Sequence, residues 1–284
     1  MFLIYLISFL LLLYYLFTKN YNYWESRGVP FEKPFFIFGN FYSIVARKQH
    51  IFHRIRAIYN NFKTPYVGIY ILNQPTLLVR SPDLLKRILV KDFDKFLNRK
   101  IASNEAVDPV ATHNLFSARD QIWRNLRAKI SPVFSSGKMK MMLPLMKECA
   151  SDLVVYLEKH NNEEIDVRNM SKKYAVDIIS SCAFGINAYC LKEENSKILE
   201  VATKLVDFNS FVRSISVFSY FFAHKLVDIF RLTFLDKTSS DYLVNMFNTT
   251  IKEREKKKIL RHDLIDLLNN LKKNETFDDS YQFG

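Results

Sequence analysis

Two side chains stand out for the chemistry their types and spacing allow: Trp123 and Arg127, four residues apart in Trp123-Arg124-Asn125-Leu126-Arg127. On a helix, positions i and i+4 share a face, so an indole N–H and a guanidinium fork project toward one acceptor, a donor set that suits a carboxylate. The ordinary alternative is a partly buried tryptophan beside a solvated arginine, and spacing alone does not choose between them.

Other reactive types carry weaker signals. His113 could serve as a base or a metal ligand, but no patterned acidic or histidine partner accompanies it, which favours a pocket or surface histidine. Cys149, Cys182 and Cys190 are odd in number and lack C-x-x-C spacing, so reduced, buried thiols are expected rather than a disulfide framework or zinc site. His262-Asp263 matches two residues of a metal-dependent phosphohydrolase signature with no companion cluster. Gly137-Lys138 fails as a phosphate loop because Met139 stands where Ser or Thr should bind magnesium.

The elements that must position these residues read as mostly helical. Phenylalanine and tyrosine number 25 and 15, whereas 6 glycines and 8 prolines are too few for the tight turns of an all-β protein. Lysine and arginine exceed aspartate and glutamate, giving a net charge of +12 that favours anionic partners without choosing among nucleic acid, lipid headgroups and an acidic protein face.

Residues 1–17 carry no charged side chain, and at about 1.5 Å per residue they extend roughly 26 Å, close to the hydrocarbon thickness of about 30 Å. Lys19 and Arg27 follow this run and no small-x-small cleavage site precedes them, so a retained single-pass anchor over 1–18 is expected. The positive-inside rule then places the N-terminus in the lumen and the remaining chain in the cytosol, leaving the sequons at Asn169, Asn248 and Asn274 unmodified. Residues 19–34 form a basic, proline-containing hinge in which Gly28, Pro30 and Pro34 cannot continue a helix, and 35–284 form the soluble unit.

Within that unit, Ile51, Ile55, Ile58 and Tyr59 predict an amphipathic helix over 50–61. Residues 66–72 and 76–79 predict a hairpin turning at Asn73-Gln74-Pro75. Ser81-Pro82 predicts a capped helix start, and residues 98–118 lose all periodicity and predict a long functional or mobile loop. Leu143, Met146, Ala150, Leu153 and Leu157 form one core stripe; Val167, Met170, Tyr174 and Ile178 form another, on a helix that Gly185 ends. The seven phenylalanines between 208 and 234 are too many for one helix face, and residues 252–258 read as a solvated helix end.

The run from Trp123 through Arg127, Ser131-Pro132-Val133-Phe134 and Gly137-Lys138-Met139 resembles the third major helix and following loop of microsomal cytochromes P450, especially the insect xenobiotic-metabolising branch. Gly28-Val29-Pro30 with Pro34 resembles that family's proline-rich hinge, residues 35–40 the segment after it, and Phe184-Gly185-Ile186 the end of its fifth helix. One departure is Asp120, where the family usually has glycine three positions before the tryptophan.

The resemblance implies a mainly α (α+β) fold: a transmembrane helix, then the N-terminal half of the cytochrome P450 fold with a small β-sheet region. It implies heme as cofactor, with Trp123 and Arg127 hydrogen-bonding a propionate, and Val110, His113, Leu115, Phe116, Phe208 and Phe211 as substrate-pocket candidates. Arg124 and Lys129 are implied as docking residues for NADPH-cytochrome reductase, and the phenylalanine-rich segment, an aromatic core on the plain reading, is implied as a channel roof dipping into membrane lipid at the endoplasmic reticulum.

The implied activity is NADPH- and O2-dependent monooxygenation of small lipophilic substrates. The oxygen-activating Ala-Gly and Thr helix, the Glu-x-x-Arg pair and the Phe-x-x-Gly loop with its iron-ligating Cys are absent from these 284 residues; after Phe36-Ile37-Phe38-Gly39 the ligand position is Ser43. The sequence is therefore expected to cover a little over half of a family member, inactive alone. A non-catalytic membrane-bound helical scaffold is the rival, whereas nucleic-acid binding rests on net charge only and has no recognised motif.

Overall fold

The computed structural model describes residues 1–102, 104–193, 195–205, 207, 208 and 210–274, with the side chains of 271–274 excepted. The chain divides into two compact units, Met1–Leu97 and Asn98–Gly284.

The first unit begins with α1, Phe2–Thr18, an apolar helix of 17 residues with no buried side chain. Among the described residues no helix is long and apolar enough to cross a membrane, so the expected single-pass span is not supported. The physical reason is length: the helix rises about 26 Å, short of a hydrocarbon core of about 30 Å. Its C-terminal end is tied down, because Tyr14 stacks on Phe36 at 5.6 Å and Asn73 Nδ2 donates to the Leu16 carbonyl at 3.2 Å.

Next come α2, Tyr42–Val45, and α3, Ile51–Asn61, which has the predicted extent; the His50 ring caps α3 and Ile58 is its buried residue. The hairpin is β1, Tyr66–Ile71, paired antiparallel with β2, Gln74–Val79, in the register Tyr66↔Val79 to Ile71↔Gln74. Its turn is Leu72-Asn73, not the predicted Asn73-Gln74-Pro75: Leu72 takes a left-handed φ of 55° and Pro75 lies inside β2. A proline is tolerated there if its missing N–H faces a strand edge, while the opposite edge of β1 is bridged by Phe31 and Gly39.

Buried Asn40 clamps that edge. Its Oδ1 accepts from the Tyr70 N–H at 2.6 Å, and its Nδ2 donates to the Glu32 and Lys33 carbonyls at 3.2 and 2.9 Å. Residues of the proline-containing segment thereby dock on β1. Gly39, at φ 59°, has no room for a Cβ against the Tyr70 carbonyl. Helix α4, Pro82–Lys86, starts as predicted, with the Ser81 hydroxyl accepting from the Leu84 N–H.

The second unit is helical: α5, Pro109–Thr112; α6, Asp120–Ile130; α7, Ser136–Lys159; α8, Val167–Ala183; α9, Lys197–Leu205; α10, Phe211–Phe222; α11, His224–Phe230; α12, Lys237–Lys257; and α13, Leu264–Asn274. Two buried apolar clusters occur among its described residues. One joins Val133, Met142, Cys182 and Leu267 from the turn after α6 and from α7, α8 and α13; the other joins Ile101, Ala102, Tyr220 and Val227, with Phe221 and Phe234 packed on it.

The predicted stripes hold in part, with Met146 of α7 and Ile178 of α8 packed on the first cluster. On α7 the buried residues are Met142 and Cys149, while Leu143 and Leu157 are exposed. On α8, Val167 is exposed and the buried face is polar, with Asp177, Ser180 and Ser181 beside Cys182. Helix α7 is apolar on more than one face, so steps of three and four mark a stripe without saying which stripe meets a neighbour. Asp177 earns its burial by accepting from the Cys190 and Leu191 N–H groups at 2.7 and 3.2 Å.

Residues 252–258 are exposed as expected except at Arg254. Arg254 is buried rather than solvated, forking onto Asp263 at 2.8 and 2.5 Å, with further bonds to Asp266 Oδ1 at 3.0 Å and the Gly185 carbonyl at 3.1 Å. Arg261 adds Ser181, Asn187 and the same carbonyl. These carboxylates hold Arg254 above the ordinary guanidinium range. His262-Asp263 therefore belongs to a structural ion cluster at the α12–α13 turn. The sequons at Asn169 and Asn248 lie within α8 and α12; the one at Asn274 runs into residues outside those described.

Candidate cofactor-facing helix and substrate-pocket loop

Helix α6 begins where the resemblance expects glycine, and Asp120 takes a left-handed φ of 49°, the conformation a glycine there would adopt readily. Asp is among the side chains that tolerate it, and Asn98 supports the strained residue from both sides. Asn98 Nδ2 donates to Asp120 Oδ1 at 2.6 Å, and the Asp120 N–H donates to Asn98 Oδ1 at 2.8 Å. Asp120 thus makes the left-handed turn that opens α6, the helix carrying Arg124, Arg127 and Lys129.

The two leading candidates differ in state. Trp123 is half-buried, and its Nε1–H donates to the Leu115 carbonyl at 3.1 Å, so it anchors the preceding loop instead of reaching outward with Arg127. Arg127 is exposed, and its guanidinium has no hydrogen-bond or ion-pair partner among the described residues. Arg124 and Lys129 are exposed on the same helix, each with an interaction inside the protein.

The loop ahead of α6 carries most pocket candidates and is better ordered by bonds than its sequence suggests. Within it α5 is capped by Asp108, whose Oδ1 accepts from the Ala111 N–H at 3.0 Å. Val110 is exposed. His113 has the acidic partner that the sequence pattern did not reveal, its Nε2 lying 3.1 Å from Glu105 Oε1. Leu115 is half-buried, and Phe116 lies edge-on to Phe221 at 6.3 Å while the Arg99 guanidinium sits over its ring. Arg119 reaches back to the Ile101 carbonyl.

The aromatic segment splits between its two readings. Tyr220, Phe221 and Phe234 are packed core, with ring centroids of Tyr220 and Phe221 at 5.4 and 6.0 Å from Phe234. Phe208 sits at the margin, 6.1 Å from Phe234. Phe211 and Phe230 are 67% and 65% exposed, and Val212 and Ile229 extend that apolar surface along α10 and α11.

No group of three or more metal-ligating side chains occurs among the described residues. The three cysteines are free and buried. Desolvation by burial raises Cys182 and pushes Cys149 and Cys190 up to about 11 and about 12, the opposite of what a thiolate ligand requires.

A mainly helical structure with one small hairpin and a tryptophan-bearing basic helix fits the N-terminal region that the resemblance implies. The comparisons agree: residues 29–281 match the family model for cytochrome P450. Cytochrome P450 6k1 of Blattella germanica is 38% identical over 93% of this chain and 50% of its own length. Cytochrome P450 6j1 of the same insect is 32% identical, over 93% and 53%; probable cytochrome P450 9f2 of Drosophila melanogaster is 31% identical, over 88% and 51%. The chain belongs to the cytochrome P450 family, and this membership implies a heme cofactor. It spans about half the length of the curated relatives it matches.

Proposed function

We propose that this chain supplies the N-terminal wall of an NADPH- and O2-dependent monooxygenase acting on small lipophilic substrates, held at the endoplasmic reticulum membrane. The observation that carries the reading is Arg127, an exposed guanidinium one helical turn from Trp123, presented without a protein partner among the described residues on the family's tryptophan-bearing helix. An unpaired guanidinium fork is matched to a carboxylate such as a heme propionate. Trp123 fits the same group if its indole N–H exchanges the Leu115 carbonyl for it.

Heme, when bound, supplies oxygen activation, and the remaining work falls to this chain's residues. Arg127 neutralises and orients a propionate. Val110, His113, Leu115, Phe116, Phe208 and Phe211 line the route of an apolar substrate, and Phe116 against Phe221 excludes water from it. Arg124 and Lys129 steer an acidic reductase face toward α6. Helix α1 and the exposed Phe211 and Phe230 give apolar surface to the membrane boundary. The described cysteines are neutral and buried, so the 284 residues alone lack monooxygenase activity.

The test is heme content in a chain carried through the iron-ligating half. Arg127→Ala should lower heme retained per polypeptide after gel filtration, and Arg127→Lys should restore only part of it, because an ammonium lacks the fork. Unchanged heme content in Arg127→Ala would remove this role.

A further inference from the structure

Asp108 is 5% exposed, and its two carboxylate oxygens serve two different elements. Oδ1 accepts from the Ala111 N–H at 3.0 Å and caps α5; Oδ2 accepts from the Phe234 and Leu235 N–H groups at 2.9 and 3.0 Å, across 126 and 127 residues of sequence. One carboxylate therefore satisfies three backbone donors, a buried one at Ala111 and two part-buried ones at Phe234 and Leu235.

The bonds around it run the same way. Asn104 Nδ2 donates to Asp228 Oδ1 at 2.8 Å, and the Ala102 N–H donates to the Tyr220 carbonyl at 2.8 Å. Phe234, whose amide Asp108 holds, packs its ring on Tyr220 and Phe221, and Phe221 meets Phe116 of the loop. A continuous path leads from the Asp108 carboxylate through Phe234 and Tyr220 to the Ala102 amide, which Asp108 itself does not touch.

We propose that Asp108 is the positioning residue that fastens the loop around α5 to the segment that follows α10 and α11, so that the two segments lose their order together. The proposal rests on the reading of these two segments as wall and roof of a substrate route. On that reading, Val110, His113, Leu115 and Phe116 keep their places relative to Phe234 and the Phe208 ring beside it through Asp108.

Hydrogen exchange read at single amides of the 284-residue chain tests it. In Asp108→Ala, exchange at Phe234 and Leu235 should rise tenfold or more, and exchange at Ala102 should rise with it, while amides of α7 and α8 keep their protection. Retained protection at Ala102 beside lost protection at Phe234 and Leu235 would overturn the coupling and leave Asp108 a local cap.

Should Asp108→Ala loosen α7 and α8 as well, Asp108→Asn keeps the decision open. Its single acceptor can serve either Ala111 or the Phe234 and Leu235 pair. Ala102 protection should follow that of Phe234 and Leu235; following Ala111 instead, or neither, would refute the coupling. Heme takes no part in this measurement, so its failure leaves the monooxygenase reading standing, and failure of the heme-retention test leaves the coupling standing.

Discussion

Replacing Arg254 by alanine is the most demanding test of how the second unit is held together. The guanidinium is 7% exposed, and its partners Asp263 and Asp266 are 0% and 8% exposed, so all three charges are inside the protein. The substitution removes two bonds to Asp263, one to Asp266 and one to the Gly185 carbonyl, and leaves two carboxylates buried without a cation. Removing one partner of a buried pair costs about 3–5 kcal/mol, and each kcal/mol shifts a domain of this size by about 2–4 °C, giving a fall of about 6–20 °C in Tm. Circular dichroism at 222 nm reads the melt. Arg254→Lys should fall between the two, because one ammonium cannot fork onto Asp263 while also reaching Gly185. A Tm lowered by under about 2 °C in Arg254→Ala would refute the reasoning, since exposed pairs give effects of that size.

Two further outcomes follow from local geometry. None of the three thiols should react with a disulfide reagent in the folded chain at pH 8, and all three should react in denaturant: burial raises each pKa, so thiolate at Cys149 and Cys190 requires pH near 11 and 12. Rapid modification of the native chain would contradict this. Asp120→Gly relieves a left-handed residue worth about 1–2 kcal/mol but loses the bond from Asn98 Nδ2, so urea midpoints should change little, whereas Asp120→Ala keeps the strain, loses the bond and should cost about 1–2 kcal/mol.

What the sequence conveyed well was local. The extent of α3, the Ser81-Pro82 start of α4 and the termination of α8 near Gly185 depend on caps, proline and left-handed glycine, all written within a few residues. Pairings across long separations were not legible. The α7 stripe is core at Met146 but exposed at its ends, Leu143 and Leu157, because several faces of the helix are apolar and the contact with α8 selects among them. Glu105 stands eight residues before His113, a spacing that has meaning only along the folded path of the loop.

The candidate site shows the same division in its chemistry. Spacing put Trp123 and Arg127 on one helix face, and they do share α6, but a donor's direction depends on what else is within reach. Leu115 is brought back by the loop and captures the indole N–H, while the Arg127 guanidinium has no hydrogen-bond or ion-pair partner among the described residues. Asp108 lies in a loop without periodicity, and its weight comes from amides 126 and 127 residues away. Arg254 likewise looked like one charge in a basic run, and Gly185 explains its burial. At φ 63° this residue turns its carbonyl onto Arg254, and any Cβ there would collide with the guanidinium. The glycine that ends α8 is thus also the residue that makes room for the ion cluster, so local chain termination and long-range charge burial are two consequences of one backbone conformation.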